Sequence, residues 1–379
     1  MLSLHGGSLQ RREALDEMDE KWRNSWTADD LSTPPSRPFE LKWRNRTSFE
    51  RQRMVEDGLL VHRNDGTWEL TPAGWAELDE TRAQRQAVVD REQERRERLW
   101  SQLVRAGGPA EIPADLVRAT GMYRGYRGVF ADLEVTRSEA FPSGIALTVL
   151  DLGGRYANER AADGILYRFP ATETPGRDRS EIASIRAAYE AGVTVFVMTT
   201  GAGGSRTVHR SFVEDMDYAS GLALLTFSGR SRTAIPPPPD APFSLVEETP
   251  AEAVWARRRA RPNQARFAFS VLKRYGTRCA VCDLSVAVAI QAAHLRSKAR
   301  GGRDDPRNGL PLCANHHAMF DRNLWSITPV GGIVTGEIRS QTLGITRTDL
   351  SHLPAQPHED ALSDTWQQWA KAHPTGSAQ

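Results

Sequence analysis

The sequence contains few cysteines, no long apolar run and no excess charge of either sign. Its three cysteines in 379 residues cannot close a disulfide framework, so we expect a reducing, cytoplasmic compartment. The longest apolar runs, residues 192–198 and 221–227, are strand-sized, whereas a bilayer span needs about 20 apolar residues, so no membrane partner is expected. Residues 1–12 lack the pattern of a secretory signal. The balance of 49 basic and 48 acidic residues argues against a nucleic-acid partner unless the charge is unevenly distributed.

Helix and hairpin signals occur together in residues 1–106. Residues 48–57 predict a helix, and an Asn-Asp-Gly turn between residues 59–63 and 67–70 predicts a β-hairpin. Thr71, followed by proline, predicts the N-cap of a long helix. This order of helix, hairpin and helix resembles a winged helix. A packing or dimerisation unit is the alternative interpretation.

Predicted strands dominate residues 107–232. Three apolar runs bounded by turn residues predict strands. Between them, a capping box of Asp178 and Glu181 predicts the start of a helix, and Gly192 predicts its end. We therefore expect a mixed, β-rich domain. The three runs are residues 145–150, 193–198 and 222–227.

The cysteines are arranged as ligands for a metal. Cys279 and Cys282 form a Cys-x-x-Cys pair, and Cys313 and His316 repeat this spacing further along the chain. Three thiolates and one imidazole can close a tetrahedral site that suits Zn²⁺. A redox-active pair would not explain the second pair of residues. A buried pair without a ligand is the other alternative, and His317 is an alternative fourth ligand.

A His-Asn-His order is interleaved with the two ligand pairs. His294 and Asn308 lie between the pairs, and His317 follows the second pair directly. This combination resembles HNH endonucleases of the zinc-stabilised, McrA-like type, over residues 269–327. The resemblance implies a ββα-metal fold in which the zinc ion only stabilises the structure.

The same resemblance implies hydrolysis of phosphodiester bonds. His294 would be the general base and His317 a ligand of a catalytic divalent cation, Mg²⁺, Mn²⁺ or Co²⁺. Asn308 would hold the loop between strand and helix. Many HNH enzymes have an acidic residue before the first histidine, where this chain has Ala293, so phosphate and water, or Asp321, would have to complete the cation site. An inactive, zinc-stabilised module is the alternative.

A cluster of basic residues precedes this region. Within residues 251–274 it faces a single acidic residue, Glu252, so the overall charge balance conceals a basic segment. We expect the cluster to bind the phosphate backbone of double-stranded DNA without reading sequence. A solvated surface is the alternative. The cluster consists of Arg257, Arg258, Arg259, Arg261 and Arg266, with Lys273 and Arg274 after them.

Residues 153–170 contain a Gly-Gly-Arg-Tyr-Ala-Asn-Glu stretch followed by a strand rich in aromatic residues. This pattern resembles the base pocket of SRA domains, which have a PUA-like fold, and it implies a domain that flips a modified cytosine out of the duplex. Asn and Glu replace two aspartates of that family, and each aromatic side chain has core packing as an alternative role. The implied base-binding residues are Tyr156, Asn158, Glu159, Tyr167 and Phe169, and further candidate phosphate contacts are Arg206, His209 and Arg210.

These patterns predict an α+β multidomain protein. A winged-helix-like domain with a long helix (1–106) precedes an SRA/PUA-like domain (107–232), a linker with the basic segment (233–262) and an HNH domain (263–379). The predicted function is a restriction endonuclease that depends on 5-methylcytosine or a related base in DNA, and a homodimer would allow both strands to be cut. The alternatives are a modification-independent HNH nuclease, such as a toxin or homing-type enzyme, and a non-catalytic DNA-binding protein.

Overall fold

The computed structural model divides the chain into two compact units. The first comprises Met1–Arg95 with Ser138–Ala140, and the second comprises Arg96–Arg137 with Phe141–Gln379. Within the part of the chain that the structure describes, no helix combines the length and apolarity that a membrane crossing requires. The described residues are 1–23, 26, 29–125, 128–151, 158–227, 242–245 and 264–374.

Helices and a two-stranded sheet surround a tryptophan core in the first unit. Its elements are β1 (Ser8–Gln10), α1 (Arg11–Trp22), α2 (Lys42–Glu56), β2 (Thr67–Glu69) and the beginning of α3 (Pro72–Arg105). β1 pairs with β2 in antiparallel register, with Leu9 opposite Trp68. Trp43 and Trp68 are buried, and the ring of Trp26 stacks on that of Trp43 with centroids 4.7 Å apart. Apolar ring burial therefore holds this small unit together.

The predicted hairpin in this unit needs correction. β2 pairs with β1 from the N-terminus, and its pairing with the predicted strand 59–63 is reduced to a bridge between Leu60 and Leu70. A local turn signal cannot reveal a partner that is distant in sequence, and this explains the error. Thr71 caps α3 as predicted, because its Oγ1 accepts a hydrogen bond from the Gly74 N–H at 2.9 Å. The winged-helix assignment stays a prediction.

A mixed sheet forms the centre of the second unit. Its elements are α4 (Ala114–Thr120), β3 (Val129–Ala131), α5 (Leu133–Thr136), β4 (Ala146–Asp151), β5 (Glu159–Arg160), β6 (Gly164–Arg168), α6 (Pro175–Ala191), β7 (Val195–Thr200), β8 (Arg206–Asp217) and β9 (Leu222–Thr226). Among the described residues, seven strands follow the order β3-β4-β7-β8-β9-β6-β5, with β4 and β7 parallel and the other neighbours antiparallel. The three predicted strands correspond to β4, β7 and β9. The SRA/PUA assignment stays a prediction.

Helix α6 starts earlier than its predicted capping box. Thr174 is the N-cap and Pro175 is the first helical residue, a position where the fixed φ of proline favours the helix. The Asp178 carboxylate instead accepts hydrogen bonds from the Thr172 N–H (2.6 Å) and hydroxyl (2.8 Å). The predicted stop is confirmed, because Gly192 ends the helix at a φ of 62°.

A ββα arrangement follows the sheet. The elements are α7 (Gln264–Tyr275), β10 (Ile290–His294), β11 (Gly309–Cys313), α8 (Ala314–Asp321), β12 (Trp325–Ile327), β13 (Ile333–Thr335), α9 (Ser340–Leu343) and α10 (Glu359–Ala372). β10 and β11 are antiparallel, and α8 packs against both. Helix α7 contacts this pair and also β6 and β9, so one apolar core extends from the large sheet into the ββα region.

Candidate functional site

Three cysteines and one histidine meet at one end of the β10–β11 pair. Cys279 and Cys282 lie in the turn after α7, Cys313 ends β11, and His316 lies in the first turn of α8. One candidate ligand atom from each residue lies within 4.8 Å of all the others. The four residues are at most 9% exposed. The fold therefore gathers the predicted ligands into one buried group.

Hydrogen bonds orient the histidine of this group. His316 Nδ1 lies 3.0 Å from Cys313 Sγ and 3.7 Å from Cys279 Sγ, while its Nε2 lies 3.1 Å from the Leu343 carbonyl oxygen. A carbonyl oxygen only accepts, so the proton of the neutral ring belongs on Nε2 and the Nδ1 lone pair faces the sulfurs. Histidines that bind metals are held by such outer contacts.

The chemistry of the four donors fits a structural metal. Burial raises the pKa of Cys282 to about 12, and the neighbouring Cys279 contributes in the same direction. Thiolates at this place therefore need a cation to balance their charge. Three thiolates and one imidazole are donors of structural Zn²⁺ sites. The Cys₃His group can hold a structural metal, consistent with zinc.

The other end of the same strands carries His294. It is the last residue of β10 and lies opposite Gly309, the first residue of β11, whereas Ile290 lies opposite Cys313 at the cysteine end. Four residues of strand separate the two ends, or about 13 Å. A Cβ atom on Gly309 would lie 2.6 Å from Val271 Cγ2, so only glycine allows α7 to approach the strands this closely.

Two neighbours fix the imidazole of His294. The ring stacks on Phe267 of α7, with centroids 3.6 Å apart and planes within 10° of each other. Its Nε2 lies 2.9 Å from Asp304 Oδ1, and Lys298 Nζ lies 2.8 Å from the second oxygen of that carboxylate. The His294 side chain keeps 18% of its surface exposed. It is therefore supported on one face and at one edge, while part of the ring remains accessible.

Asn308 closes the loop between β10 and β11. The residue is fully buried, and its side-chain amide donates to the carbonyl oxygens of Arg296 (3.1 Å) and Arg303 (2.9 Å). Its Oδ1 accepts the Arg296 N–H at 2.9 Å, and its carbonyl accepts the Leu295 N–H at 2.9 Å. These bonds fix the backbone on both sides of the loop. Asn308 thus holds the loop closed, and its part in the reaction stays a prediction.

His317 lies beside its buried neighbour His316 on α8, but it is partly exposed. Its Nδ1 lies 2.9 Å from Gln291 Oε1, and its Nε2 lies 3.7 Å from Asp321 Oδ2. Burial lowers the pKa of His317; the Asp321 carboxylate opposes this shift, whereas the charge of His294 adds to it. His294 and His317 are therefore close enough to interact electrostatically. An imidazole beside a carboxylate offers two donors to a divalent cation.

Sequence reasoning missed Phe267, Gln291 and Asp304 as contacts of the two histidines. Asp304 had a signal, because it belongs to an acidic pair just before Asn308, but spacing alone does not show which histidine nitrogen it meets. Phe267 lies outside the cysteine–histidine pattern altogether. Both are brought to His294 by tertiary structure, through the loop held by Asn308 and through the packing of α7.

The cysteine pairs, the His-Asn-His residues and the ββα arrangement coincide with a known family. The family model described as "HNH endonuclease" matches residues 279–328. The chain carries an HNH endonuclease domain. This confirms the predicted endonuclease, and the matched range contains both the buried Cys₃His group and the partly exposed His294 and His317.

Two solved structures are similar to this chain at low sequence identity. The chain is 18% identical to a solved structure described as the modification-dependent TagI restriction endonuclease, covering 69% of this chain and 94% of that one, with a TM-score of 0.28. It is 16% identical to the type IV phosphorothioation-dependent restriction endonuclease ScoMcrA, covering 69% of this chain and 70% of that one, with a TM-score of 0.23. No curated protein matches the sequence.

The predicted base-binding residues do not all meet in the structure. Tyr156 and the side chain of Glu159 lie outside the described residues. Tyr167 is only 2% exposed and its hydroxyl is 3.3 Å from Glu181, so its core-packing alternative describes it better than base stacking. Asn158 Oδ1 accepts the Arg168 N–H at 3.2 Å, and this bond places it beside β6.

Phe169, by contrast, lines a cavity of about 950 Å³. The cavity lies between the end of β6, the N-terminal part of α6 and the turn before β10. The Phe169 ring packs edge-to-face on Tyr218, with centroids 5.4 Å apart. Glu181 at the wall has its pKa raised by burial. The cavity thus combines an aromatic ring with groups that can hydrogen-bond a polar ligand, including Arg168, Thr172, Arg177, Asp178 and Ser220.

The predicted phosphate contacts divide into two sets. Arg257, Arg258, Arg259 and Arg261 lie outside the described residues. Arg266 requires correction, since it is 15% exposed and forms a two-point ion pair with Glu214, 2.7 Å at its shortest. The remaining candidates also have partners within the protein. Lys273 forms an ion pair with Asp215, and Arg210 forms one with Glu97. Arg274 and Arg206 donate hydrogen bonds to the carbonyl oxygens of Gln356 and Gly204, and His209 stacks on Phe227.

Proposed function

We propose that this protein is a modification-dependent restriction endonuclease that cuts double-stranded DNA with its HNH domain. The observation that carries the proposal is His294, a partly exposed imidazole supported by Phe267 and Asp304 beside His317. A fixed, accessible imidazole is suited to remove a proton from water. Two copies of the chain would place two such sites on the two DNA strands.

In the proposed reaction, the chain moves one proton. With Nε2 of His294 held by Asp304, its Nδ1 accepts a proton from water as the water oxygen bonds to phosphorus and the bond to the leaving sugar oxygen breaks. Phe267 keeps the ring in one plane, and Asn308 keeps the loop closed around it. The protein groups are thus arranged before substrate binds, and this arrangement lowers the entropic part of the barrier.

The cation site of the proposal consists of His317 and Asp321, with DNA phosphate and water completing it. A divalent cation held there would neutralise charge on the scissile phosphate and the leaving oxygen. His317 Nδ1 faces Gln291, so its Nε2 is the nitrogen directed to Asp321 and available as a ligand. Ala293 supplies no carboxylate, and for this reason we include Mn²⁺ and Co²⁺ beside Mg²⁺ as candidate ions.

We further propose that the protein recognises a modified cytosine. This recognition is supported by the sequence resemblance of residues 153–170 and by the cavity beside Phe169. A flipped base requires an aromatic surface for stacking and polar groups for its edge. In the proposal, Phe169 supplies the stacking surface, and Tyr156, Asn158 and Glu159 are the further base contacts that the sequence resemblance implies. Arg257, Arg258, Arg259 and Arg261 would bind the DNA backbone.

Cleavage of matched plasmids tests the proposal. Plasmid DNA with and without 5-methylcytosine is incubated with the protein and Mg²⁺, Mn²⁺ or Co²⁺, and the expected result is cutting of the methylated plasmid alone. Equal cutting of both plasmids would instead indicate a modification-independent HNH nuclease. Absence of cutting with every metal, together with retained DNA binding, would favour the non-catalytic alternative that Ala293 suggests.

Recognition of the modified base is tested separately, by measuring DNA binding. Phe169→Ala should lower the preference for a methylated over an unmethylated duplex, because base–aromatic stacking contributes about 1–3 kcal/mol. Tyr189→Ala, on an exposed tyrosine of α6, is the matched control and should leave the preference unchanged. An unchanged preference in Phe169→Ala would remove this cavity from the recognition mechanism.

A further inference from the structure

The edge of the His294 ring meets a carboxylate outside the His-Asn-His residues. Asp304 Oδ1 lies 2.9 Å from His294 Nε2. The two side chains are 18% and 13% exposed, so water competes only weakly for this hydrogen bond. An ionised carboxylate only accepts hydrogen bonds. The contact therefore requires a proton on Nε2, and in the neutral ring it leaves the lone pair on Nδ1.

The surroundings of Asp304 favour this role over a role as a cation ligand. Lys298 Nζ lies 2.8 Å from Asp304 Oδ2. An ammonium group at this distance pairs with the carboxylate and repels a second cation. The carboxylate thus has one oxygen for the lysine and one for the histidine. Its negative charge also stabilises the imidazolium that forms when His294 accepts a proton.

The loop itself determines where Asp304 stands. Asn308 binds the carbonyl of Arg303, directly before Asp304, at 2.9 Å. Directly after it, Asp305 Oδ1 accepts the Arg307 N–H at 2.8 Å and caps the short turn Pro306–Asn308. The backbone is therefore fixed on both sides of Asp304. Asn308 acts on His294 in part through Asp304.

We propose that Asp304 is a positioning residue for the HNH reaction, holding His294 in the tautomer whose Nδ1 receives the proton. This inference rests on the proposed function in taking His294 as the base. It adds a residue to His294, Asn308 and His317. Outer contacts of this kind change activity by about 10- to 100-fold when removed.

Asp304→Asn and Asp304→Glu test the inference in the full-length protein. With plasmid DNA containing 5-methylcytosine and Mn²⁺, Asp304→Asn should lower kcat by about 10- to 100-fold with KM for DNA unchanged. Asp304→Glu should recover part of the loss. Asp349→Asn is the control, since Asp349 contacts Thr348 and Ser351 rather than the loop around His294; its kcat should stay within about twofold. Wild-type kcat in Asp304→Asn would overturn the inference.

A spectroscopic measurement separates this inference from the proposed function. In protein with ¹⁵N-labelled histidine, the ring signals of His294, assigned with His294→Ala, should report the Nε2–H form in the wild type. Asp304→Asn should shift them toward a mixture of the two neutral forms, whereas Asp349→Asn should not. A proton on Nδ1 in the wild type would overturn the positioning role. This result is informative even if the protein cuts no DNA, an outcome that would count against the proposed function.

Discussion

The two ends of the β10–β11 pair use similar residues for opposite purposes. At the cysteine end, three thiols and His316 are at most 9% exposed and close on one another within 4.8 Å. At the histidine end, His294 and His317 keep 18% and 26% of their side chains exposed. Four protein ligands can fill the coordination of a structural metal, as at the cysteine end. At the histidine end, the two accessible imidazoles leave room for phosphate and water.

The adjacent residues His316 and His317 show how the helix achieves this difference. They are neighbours on α8, and consecutive helical residues point about 100° apart. His316 turns inward to the sulfurs and to Leu343, while His317 turns to Gln291 and Asp321. One turn of helix thus serves a structural site and a candidate catalytic site. Substitutions at each end of the strand pair should therefore separate the two functions.

The largest effect on stability is expected for His316→Ala. Loss of one ligand should reduce zinc content well below one ion per chain and destabilise the HNH domain, because structural zinc contributes apparent free energies of about 10–16 kcal/mol in small domains. Metal analysis and thermal unfolding followed by circular dichroism measure this. His317→Ala is the matched control, with zinc and unfolding temperature retained and cleavage lost. Equal zinc loss in both variants would contradict the assignment of His316 to the structural site and of His317 to the candidate catalytic site.

His294→Ala should have the largest effect on cleavage with intact structure. We expect the cleavage rate to fall by about 10²- to 10⁴-fold, the usual contribution of a general base. Zinc content should remain at the wild-type value, because His294 lies at the opposite end of the strands. If cleavage persists at the wild-type rate, another group is the base.

Gly309→Ala should damage the histidine end through packing. The added methyl group would lie 2.6 Å from Val271 and 2.7 Å from Phe267, the residue on which His294 stacks. We expect a loss of about 1–3 kcal/mol in the free energy of unfolding and slower cleavage, with zinc retained. Gly176→Ala, where a Cβ meets no atom within 4 Å, is the control. Unaltered cleavage would show that ring support by Phe267 is dispensable.

The smallest effect is expected for Arg266→Ala. Its ion pair with Glu214 is partly buried, so its loss should cost about 1 kcal/mol of stability. DNA affinity and its salt dependence should not change, because the guanidinium is engaged within the protein. Glu214→Gln should give a similar loss of stability. If Arg266→Ala made DNA affinity less dependent on salt concentration, the result would show that Arg266 contacts the DNA backbone.

The sequence predicts the ligand pairs and the His-Asn-His residues because each depends on short spacing, whereas the ββα fold is implied by the family resemblance. It does not predict the partners of Arg266 or Lys273, since Glu214 and Asp215 lie more than 50 residues away in the chain. The basic cluster of the sequence therefore includes two side chains, Arg266 and Lys273, that form ion pairs with carboxylates in the folded protein. Asp304 was overlooked for the same physical reason, because hydrogen-bond geometry arises only when the loop folds.

Helix α7 has a further consequence for where the nuclease begins. The family match starts at Cys279, but the ring that supports His294 comes from Phe267, and the same helix pairs with the large sheet through Arg266 and through the Ala265 N–H to Asp163 at 3.2 Å. A fragment cut at the family boundary would keep every motif residue and lose the surface against which its histidine rests. The smallest self-sufficient cutting unit is therefore larger than its sequence signature, and it includes part of the sheet.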